Sequence, residues 1–221
     1  MRAMERRVIE KYQSKAGADS YNVKYEEEAI KRLSDKRERK LLARIFGIVG
    51  SHDRFLDLPS GTGRLFPTIQ PFGKRFVETD VSREMLKHAR ENLAQWKPHL
   101  VQASAFHIPY KSGSFDCVFS ARLTHHIPDQ GERDRFIREL GRVSRNYVVM
   151  TFFHTWSVKN ILRRIRRLWN KKRPKITMTT GELRDVARTA GLELVQTFPL
   201  ARLFSGHHYA ILKKADGAVP R

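Results

Sequence analysis

The stretch FLDLPSGTGRLF, residues Phe55–Phe66, combines the three local signals that decide the fold. Its first residues, which end at the acid Asp57, form an apolar run that is typical of a buried strand. Small residues and a proline then predict a tight turn, and the apolar residues after the turn predict the start of a helix. The stretch therefore predicts a strand, a loop and a helix in succession, a junction at which α/β proteins bind small molecules.

Strand patterns and helix patterns alternate along most of the chain. Two strands near the C-terminus, the second at 207–214, are joined by a loop too short for a helical crossover, so we expect them to pair antiparallel. We predict an α/β fold in which a seven-stranded, mostly parallel sheet with an antiparallel last strand carries helices on both faces. The other predicted strands lie at residues 53–59, 74–80, 99–104, 115–121 and 146–153, with one more before 207.

Composition divides the 221 residues into three parts. Residues 1–50 are charged and have helical periodicity, which predicts an N-terminal helical extension that acts as a lid. Residues 51–214 carry the alternating pattern and include a basic insertion at 155–175, and residues 215–221 form a tail. The length suits one domain with a full hydrophobic core.

Basic side chains greatly outnumber acidic ones. There are 43 lysine and arginine residues against 23 acidic residues, and the formal net charge is +20. This charge predicts attraction to polyanions such as nucleic acid or an anionic bilayer. The single cysteine excludes an internal disulfide, the N-terminus lacks the apolar segment of a secretion signal, and no apolar run is long enough to span a bilayer. We therefore expect a cytoplasmic protein.

Two common phosphate-binding loops do not fit the turn after the first strand. A dinucleotide fingerprint needs a glycine where this chain has Phe66, and a P-loop needs a Gly-Lys-Ser/Thr sequence that does not follow. A ligand without phosphates, lying against the backbone of Gly61 and Gly63, is the remaining interpretation. Asp57 and Asp80 end neighbouring strands at the same edge of the sheet, where a carboxylate can bind both hydroxyls of a ribose.

Four blocks of sequence resemble the class I S-adenosylmethionine (SAM)-dependent methyltransferases, in particular the branch that includes the type 11 and quinone-biosynthesis enzymes. The blocks are FLDLPSGTGR, VETDVSREMLKHAREN, ASAFHIPYKSGSFDCVFS and LTHHIPD, in this order and at the expected intervals. They cover about residues 45–153, and the antiparallel ending extends the resemblance to about residue 214. The resemblance implies a Rossmann-like fold, SAM as the cofactor, and methyl transfer to an acceptor without a metal ion.

Carried over position by position, the resemblance implies which residues bind SAM. The loop would flank the methionine part, Asp80 would hold the ribose, and Val81, Ser104 and Ala105 would border the adenine. Pro59 stands where the family's loop has its first glycine, and Ser104 stands where an aspartate often binds the adenine, so we expect somewhat weaker cofactor binding. The predicted cofactor residues are Asp57, Pro59, Ser60, Gly61, Thr62, Gly63, Asp80, Val81, Ser104 and Ala105.

Histidines follow the predicted strands at the rim where the methyl group is expected. Methylation of an oxygen or an acidic carbon requires removal of a proton, and imidazole titrates near neutrality. A packing or capping role for each histidine remains an alternative. The candidate bases are His125, His126 and His154, and the candidate substrate contacts are Arg122, His207 and His208.

The insertion Thr155–Lys175 carries nine basic residues and no acid. Its apolar residues recur at helical spacing, so it predicts a basic amphipathic helix of the kind that binds anionic membrane surfaces. A helix packed on the core, with its arginines in solvent, is the alternative. The residues assigned to the membrane surface are Arg163, Arg164, Arg166, Arg167, Trp169 and Lys171.

Three functional hypotheses follow from these patterns. The first is O- or C-methylation of a small molecule, a lipid, a quinone precursor or a lipid-linked glycan, at the inner face of the cytoplasmic membrane. The second is RNA methylation, which the widespread positive charge favours, although no RNA-binding module and no Asn/Asp-Pro-Pro-Tyr block is visible. The third is a non-catalytic basic scaffold that retains the fold.

Overall fold

The computed structural model describes residues 29–157, 176–201 and 206–215. Within these ranges the chain forms a single sheet and helices that cover both of its faces. The strands are β1 His52–Asp57, β2 Gly73–Asp80, β3 His99–Gln102, β4 Phe115–Ser120, β5 Ser144–Phe153, β6 Leu192–Pro199 and β7 His207–Lys214. The helices are α1 Ala29–Val49, α2 Phe66–Ile69, α3 Arg83–Asn92, α4 Gln130–Val143 and α5 Thr180–Thr189, with short 3-10 helices at Gln70–Phe72 and Thr124–His126.

The sheet has seven strands in the order β3-β2-β1-β4-β5-β7-β6. The first five strands in this order are parallel, and β7 runs antiparallel to both of its neighbours. This confirms the predicted Rossmann-like sheet with an antiparallel last strand. The carboxyl ends of β1, β2, β4 and β5 and the start of β7 meet at one edge, which we call the functional edge.

Side-chain caps start the helices where the sequence predicts them. The Ser82 hydroxyl accepts a hydrogen bond from the Met85 amide at the start of α3. Asp129 caps α4 in the same way, and Thr179 forms a reciprocal capping box with Glu182 at the start of α5. Each cap provides a partner for an otherwise free amide of the first turn, which stabilises the helix by about 1 kcal/mol.

Two hydrophobic cores lie on opposite faces of the sheet. The face that we call the α1 face packs against α1, α2 and α3, and Phe46 of α1 contacts the rings of Phe55 and Phe119 there. The opposite face, called the α4 face, packs against α4 and α5 through residues such as Phe136 and Leu183. Alternation along each strand therefore decides which face a side chain of the functional edge occupies.

Some predicted boundaries differ from the structure by a few residues. β3 ends at Gln102 rather than at residue 104, because Ser104 already belongs to a turn in which it accepts a bond from the Phe106 amide. The helix after β1 is a single α-turn that continues as a 3-10 helix, since Pro71 cannot donate the next backbone hydrogen bond.

The predicted domain boundaries are only partly within the described residues. α1 supplies the last part of the predicted N-terminal extension. Residues 1–28, 158–175, 202–205 and 216–221 lie outside the described residues, and so do all six residues assigned to the membrane surface. In the described ranges, none of the helices combines the length and the apolarity that crossing a bilayer requires.

Candidate functional site

The loop after β1 brings its backbone close to the functional edge through two glycines in the left-handed region. Gly61 has φ +58° and Gly63 has φ +75°, which side chains other than glycine adopt at a cost. A Cβ atom on Gly63 would lie 2.6 Å from Cδ1 of Leu93, whereas a Cβ atom on Gly61 would have no protein atom within 4 Å. Gly63 thus allows the loop to pack against the end of α3, and Gly61 leaves open space beside the backbone.

Asp80, at the end of β2, fixes this loop. Its carboxylate accepts hydrogen bonds from the amides of Gly61 at 2.9 Å and Ser82 at 2.8 Å, one on each oxygen. Burial raises the pKa of Asp80 to about 6, although its bonds from the amides of Ser82, Gly61 and Val81 act in the opposite direction. Each carboxylate oxygen can accept a further bond, so a pair of vicinal hydroxyl groups fits this position.

Asp57 and Glu78 form a buried pair of carboxyl groups below the loop. They are register partners on β1 and β2. Burial raises the pKa of both groups, and the charge of Asp80 raises that of Asp57 further. Within the described residues neither oxygen of Glu78 has an N–H or hydroxyl donor, so burial beside Asp57 favours the protonated form of the pair. Sequence reasoning missed Glu78, although an acid between Val77 and Thr79 in a buried strand is the signal that could have found it.

Several buried polar atoms near the loop have no partner in the part of the chain that the structure describes. Buried polar groups are normally hydrogen-bonded, so such atoms at one place favour a polar ligand. A ligand with hydroxyl, amino and carboxylate groups, such as SAM, fits the acids and the orphaned hydroxyls of this crevice. The atoms are Asp57 Oδ1, Ser60 Oγ, Thr62 Oγ1 and Thr79 Oγ1.

The remaining predicted cofactor residues surround the same crevice with less distinctive contacts. The Val81 carbonyl accepts a bond of 3.0 Å from the Gln102 side chain, and Ala105 is buried in the α4-face core. The Ser104 hydroxyl accepts a bond from the Phe106 amide at 3.2 Å. The Ser60 amide, next to Pro59, donates to the Thr79 carbonyl at 2.9 Å. Their roles in binding adenine and methionine stay predictions.

A buried acid on α1, Glu38, connects the loop after β1 with the loop after β4. The side chain is fully buried, and its Oε2 accepts bonds from Arg64 at 2.8 Å and from Arg122 at 2.6 Å. Its Oε1 accepts a bond of 2.8 Å from the hydroxyl of Tyr209 on β7. Arg122 was predicted as a substrate contact, and the structure places its guanidinium against this acid.

Burial acts to raise the pKa of Glu38, but the charges of Arg122, Arg64 and His207 and the Tyr209 hydrogen bond outweigh it and lower the pKa to about 2. The acid is therefore ionised throughout the physiological range. Sequence reasoning missed Glu38, yet a signal exists, because Glu38 lies at the helical spacing of the buried stripe Leu42, Ile45, Phe46 and Val49. An acid at a core position of an amphipathic helix needs a buried partner.

The five predicted histidines all lie at the functional edge, but they divide between the two faces of the sheet. On the α1 face, the ring of His125 lies 4.1 Å from that of His126, 4.5 Å from Phe153 and 6.4 Å from His207. On the α4 face, the rings of His154 and His208 stack at 4.9 Å. The strand alternation of Phe152 and Phe153, which pair with His208 and His207, causes this division.

The histidines of the α4 face have lowered pKa values. Burial, and then the neighbouring His154, lowers the pKa of His208 to about 4, and burial lowers the pKa of His154. His154 Nε2 also lies 3.2 Å from the Thr180 hydroxyl at the start of α5. His208 is therefore neutral near pH 7. Among the described residues no group of histidine, cysteine, aspartate and glutamate side chains is arranged to hold a metal ion.

Comparison with known proteins identifies methyltransferases by both sequence and fold. The sequence model of the family described as "Methyltransferase domain" matches residues 56–152. The magnesium protoporphyrin IX methyltransferase of Synechocystis PCC 6803, solved with S-adenosylhomocysteine (SAH), has a TM-score of 0.79 at 15% identity, over 96% of this chain and 100% of that chain.

Two other solved structures have the same fold. A SAM-dependent methyltransferase from Clostridium acetobutylicum has a TM-score of 0.69 at 11% identity, over 89% of this chain and 98% of that chain. A methyltransferase from Haloferax volcanii, solved in complex with the activator Trm112, has a TM-score of 0.60 at 15% identity, over 75% of this chain and 84% of that chain. At such identities the likeness establishes a shared architecture.

Proposed function

We propose that this protein is a SAM-dependent methyltransferase that methylates an oxygen or an acidic carbon of a small-molecule or lipid-linked acceptor. The match of residues 56–152 to the methyltransferase-domain model supports the reaction class. The observation that carries the proposal is the crevice at the functional edge. There Asp80 holds the Gly61 backbone at 2.9 Å, buried polar atoms of Asp57, Ser60 and Thr62 have no partner among the described residues, and histidines follow β4. Failure of the protein to bind SAM would refute the proposal.

We assign the parts of SAM to the crevice by the chemistry of its side chains. The Asp80 carboxylate suits the two ribose hydroxyls, and the carboxyl of Asp57 suits the amino group of the methionine part. Gly61 leaves room for the ligand against the backbone. SAM, when bound, supplies an electrophilic methyl group on a sulfonium.

The acceptor side of the proposed site is the α1 face beyond β4. A sulfonium leaves as a neutral sulfide, so the protein has to align the acceptor and remove its proton. His125 and His126 follow β4 directly and are our candidates for the base, while His154 and His208 lie on the other face. Since Arg122 is bound by Glu38, Arg122 would contribute to substrate binding by shaping the loop 121–123 between β4 and the 3-10 helix.

The extent of the structural likeness supports a small-molecule acceptor. The magnesium protoporphyrin IX enzyme, whose name gives a small-molecule acceptor, is similar over 96% of this chain and 100% of its own length. The Haloferax volcanii methyltransferase, in contrast, was solved with an activator protein. We therefore favour an enzyme that acts by itself on a small or lipid-linked molecule.

The outward face of α1 supports binding of the protein to an anionic membrane surface. Between residues 32 and 49, all exposed charged side chains are basic, and Leu33 and Ile48 on the same face are each 51% exposed. Basic residues interspersed with aliphatic ones suit a lipid surface, whereas single-stranded RNA would favour aromatic side chains for stacking. The exposed basic residues are Arg32, Lys36, Arg37, Lys40 and Arg44.

Transfer of radiolabel from SAM to fractionated cell extracts tests the acceptor class. We expect the label to enter the lipid or small-molecule fraction and the RNA fraction to stay unlabelled. The Asp80→Asn variant is the matched control, because it lacks the carboxylate that we assign to the ribose hydroxyls. Label in RNA would replace this proposal by the RNA methyltransferase, and a calorimetric titration with SAM that gives no heat and no thermal shift would favour the scaffold.

Flotation with lipid vesicles tests whether the protein binds an anionic membrane surface. We expect wild-type protein to float with vesicles that contain anionic lipid and to stay behind with zwitterionic ones. Glutamine at four positions of α1 should reduce flotation by at least about 10-fold, since each basic residue near an anionic surface contributes about 1 kcal/mol. Equal flotation of this variant and a control variant with the same loss of charge elsewhere would refute the proposal that α1 binds the membrane. The α1 positions are Arg32, Lys36, Arg37 and Lys40, and the control positions are Arg90, Lys111, Arg138 and Arg184.

A further inference from the structure

Glu38 joins four segments that are far apart in the sequence. It contacts Arg64, which directly follows Gly63 in the loop after β1, called the cofactor loop here. It also contacts Arg122, the middle residue of the loop 121–123 between β4 and the 3-10 helix Thr124–His126, called the acceptor loop. It also accepts a bond from Tyr209 at the start of β7. One fully buried carboxylate therefore lies between the loop for the cofactor and the loop that precedes the candidate bases.

Stability alone is a weak reason to have such a cluster. Burying a carboxylate between two guanidinium groups carries a large desolvation cost, and well-packed apolar residues of similar volume are often as stable. Glu38 lies on the same stripe of α1 as Leu42, Ile45 and Phe46, which are fully buried. A charged residue at this core position thus suggests a role in arranging the two arginines.

The backbone of Arg122 supports a positioning role. Its φ is +63°, an unusual value for a residue other than glycine. The conformation is held at both ends, because the Arg122 amide donates to the Thr151 hydroxyl at 2.6 Å and the guanidinium donates to Glu38. Strained backbone of this kind persists where surrounding contacts determine it, and it is concentrated at functional sites.

We propose that Glu38 is a positioning residue that couples the cofactor loop to the acceptor loop by binding Arg64 and Arg122 at the same time. The inference rests on the proposed function, because it assigns SAM to the loop around Gly61. The carboxylate on α1 contacts an arginine of each loop and so gives both loops a common reference. Binding of the cofactor on one side and alignment of the acceptor on the other would then depend on α1.

A double-mutant cycle on SAH affinity tests the coupling. We expect Glu38→Gln and Arg64→Gln each to weaken SAH binding by at least about 10-fold at a temperature where all variants are folded, as measured by calorimetry. If Glu38 acts through Arg64, the double variant binds SAH no more weakly than Arg64→Gln alone. Independent, multiplying losses would show that Glu38 does not act on SAH binding through Arg64, and would overturn the inference.

Two further variants complete the experiment. Tyr209→Phe removes one hydrogen bond to Glu38 but leaves both arginine contacts, so its SAH affinity should stay within about twofold of wild type. If Glu38→Gln does not fold, Glu38→Asp carries the same cycle, because it keeps the charge but is too short to reach both arginines. Failure of wild-type protein to bind SAH would refute the proposed function, whereas normal binding by the Glu38 variants would refute this inference alone.

Discussion

Replacing Asp80 by asparagine is expected to weaken SAH binding by at least about 100-fold while the protein stays folded. The variant loses the negative charge that would accept hydrogen bonds from both ribose hydroxyls, and such charge-assisted bonds contribute about 1.5–3 kcal/mol each. The amide oxygen of asparagine can still accept one of the two backbone bonds from Gly61 and Ser82. Calorimetric titration with SAH, together with a thermal unfolding curve, separates the two effects.

The raised pKa of Asp80 adds a pH dependence to this prediction. The folded pKa is about 6 because of burial, above the ordinary value of 3.8. The folded protein without ligand therefore binds more protons than the unfolded chain between about pH 4 and 6, and its stability should rise as pH falls through this window. The ionised form binds hydroxyls better, so SAH affinity should decrease below about pH 6 in wild type and not in Asp80→Asn.

Asp53→Asn is the matched control for this experiment. Asp53 lies at the opposite end of β1, and its ion pair with Arg75 is exposed, so little stability depends on it. We expect its SAH affinity and its pH profile to equal those of wild type. If Asp80→Asn also kept wild-type affinity, the ribose would have to bind elsewhere, and the crevice would not be the cofactor site.

The sequence could predict the sheet because it depends on local patterns, and the edge at which we propose that SAM binds follows from the same patterns. Apolar runs, caps such as Ser82 and glycines in turns depend only on residues that are adjacent in the sequence. All seven strands are predicted from such signals. Asp80 could be located because it directly ends a strand. Local patterns place Glu38 and Glu78 at core positions but do not indicate their roles, because each acquires its role from residues that are distant in the sequence. Their partners become neighbours only when the sheet has formed.

The histidines show a second limit of local patterns. His207 and His208 are adjacent and predicted for one rim, but strand alternation turns their side chains to opposite faces. The alternation itself is a sequence property, so the division could have been expected. The face that carries the acceptor could not have been expected from the sequence, because it depends on where α1 packs. We propose the α1 face for the acceptor, since Glu38 of α1 binds both Tyr209 and Arg122, and Arg122 lies in the loop after β4.

The two glycines of the cofactor loop should respond to alanine in different ways, and this difference is the second large effect that we expect. Both have positive φ values, so alanine at either position adds about 1–2 kcal/mol of strain. At Gly63 the new methyl group would also clash with Leu93 at 2.6 Å. Gly63→Ala should therefore lower the thermal midpoint by about 10 °C, through a loss of about 3–4 kcal/mol that combines strain with overpacking.

Gly61→Ala should lose only a few degrees of thermal stability but at least about 10-fold in SAH affinity. No protein atom lies within 4 Å of the position of its new Cβ, so the methyl group points into the space that we assign to the methionine part of the ligand. Gly113→Ala is the matched control, because Gly113 has φ +65° and equally open surroundings in the turn before β4, away from the crevice. It has the same backbone strain without a ligand nearby. Equal SAH affinity of the Gly61 and Gly113 variants would mean that no ligand approaches Gly61, and that the open space there has another cause.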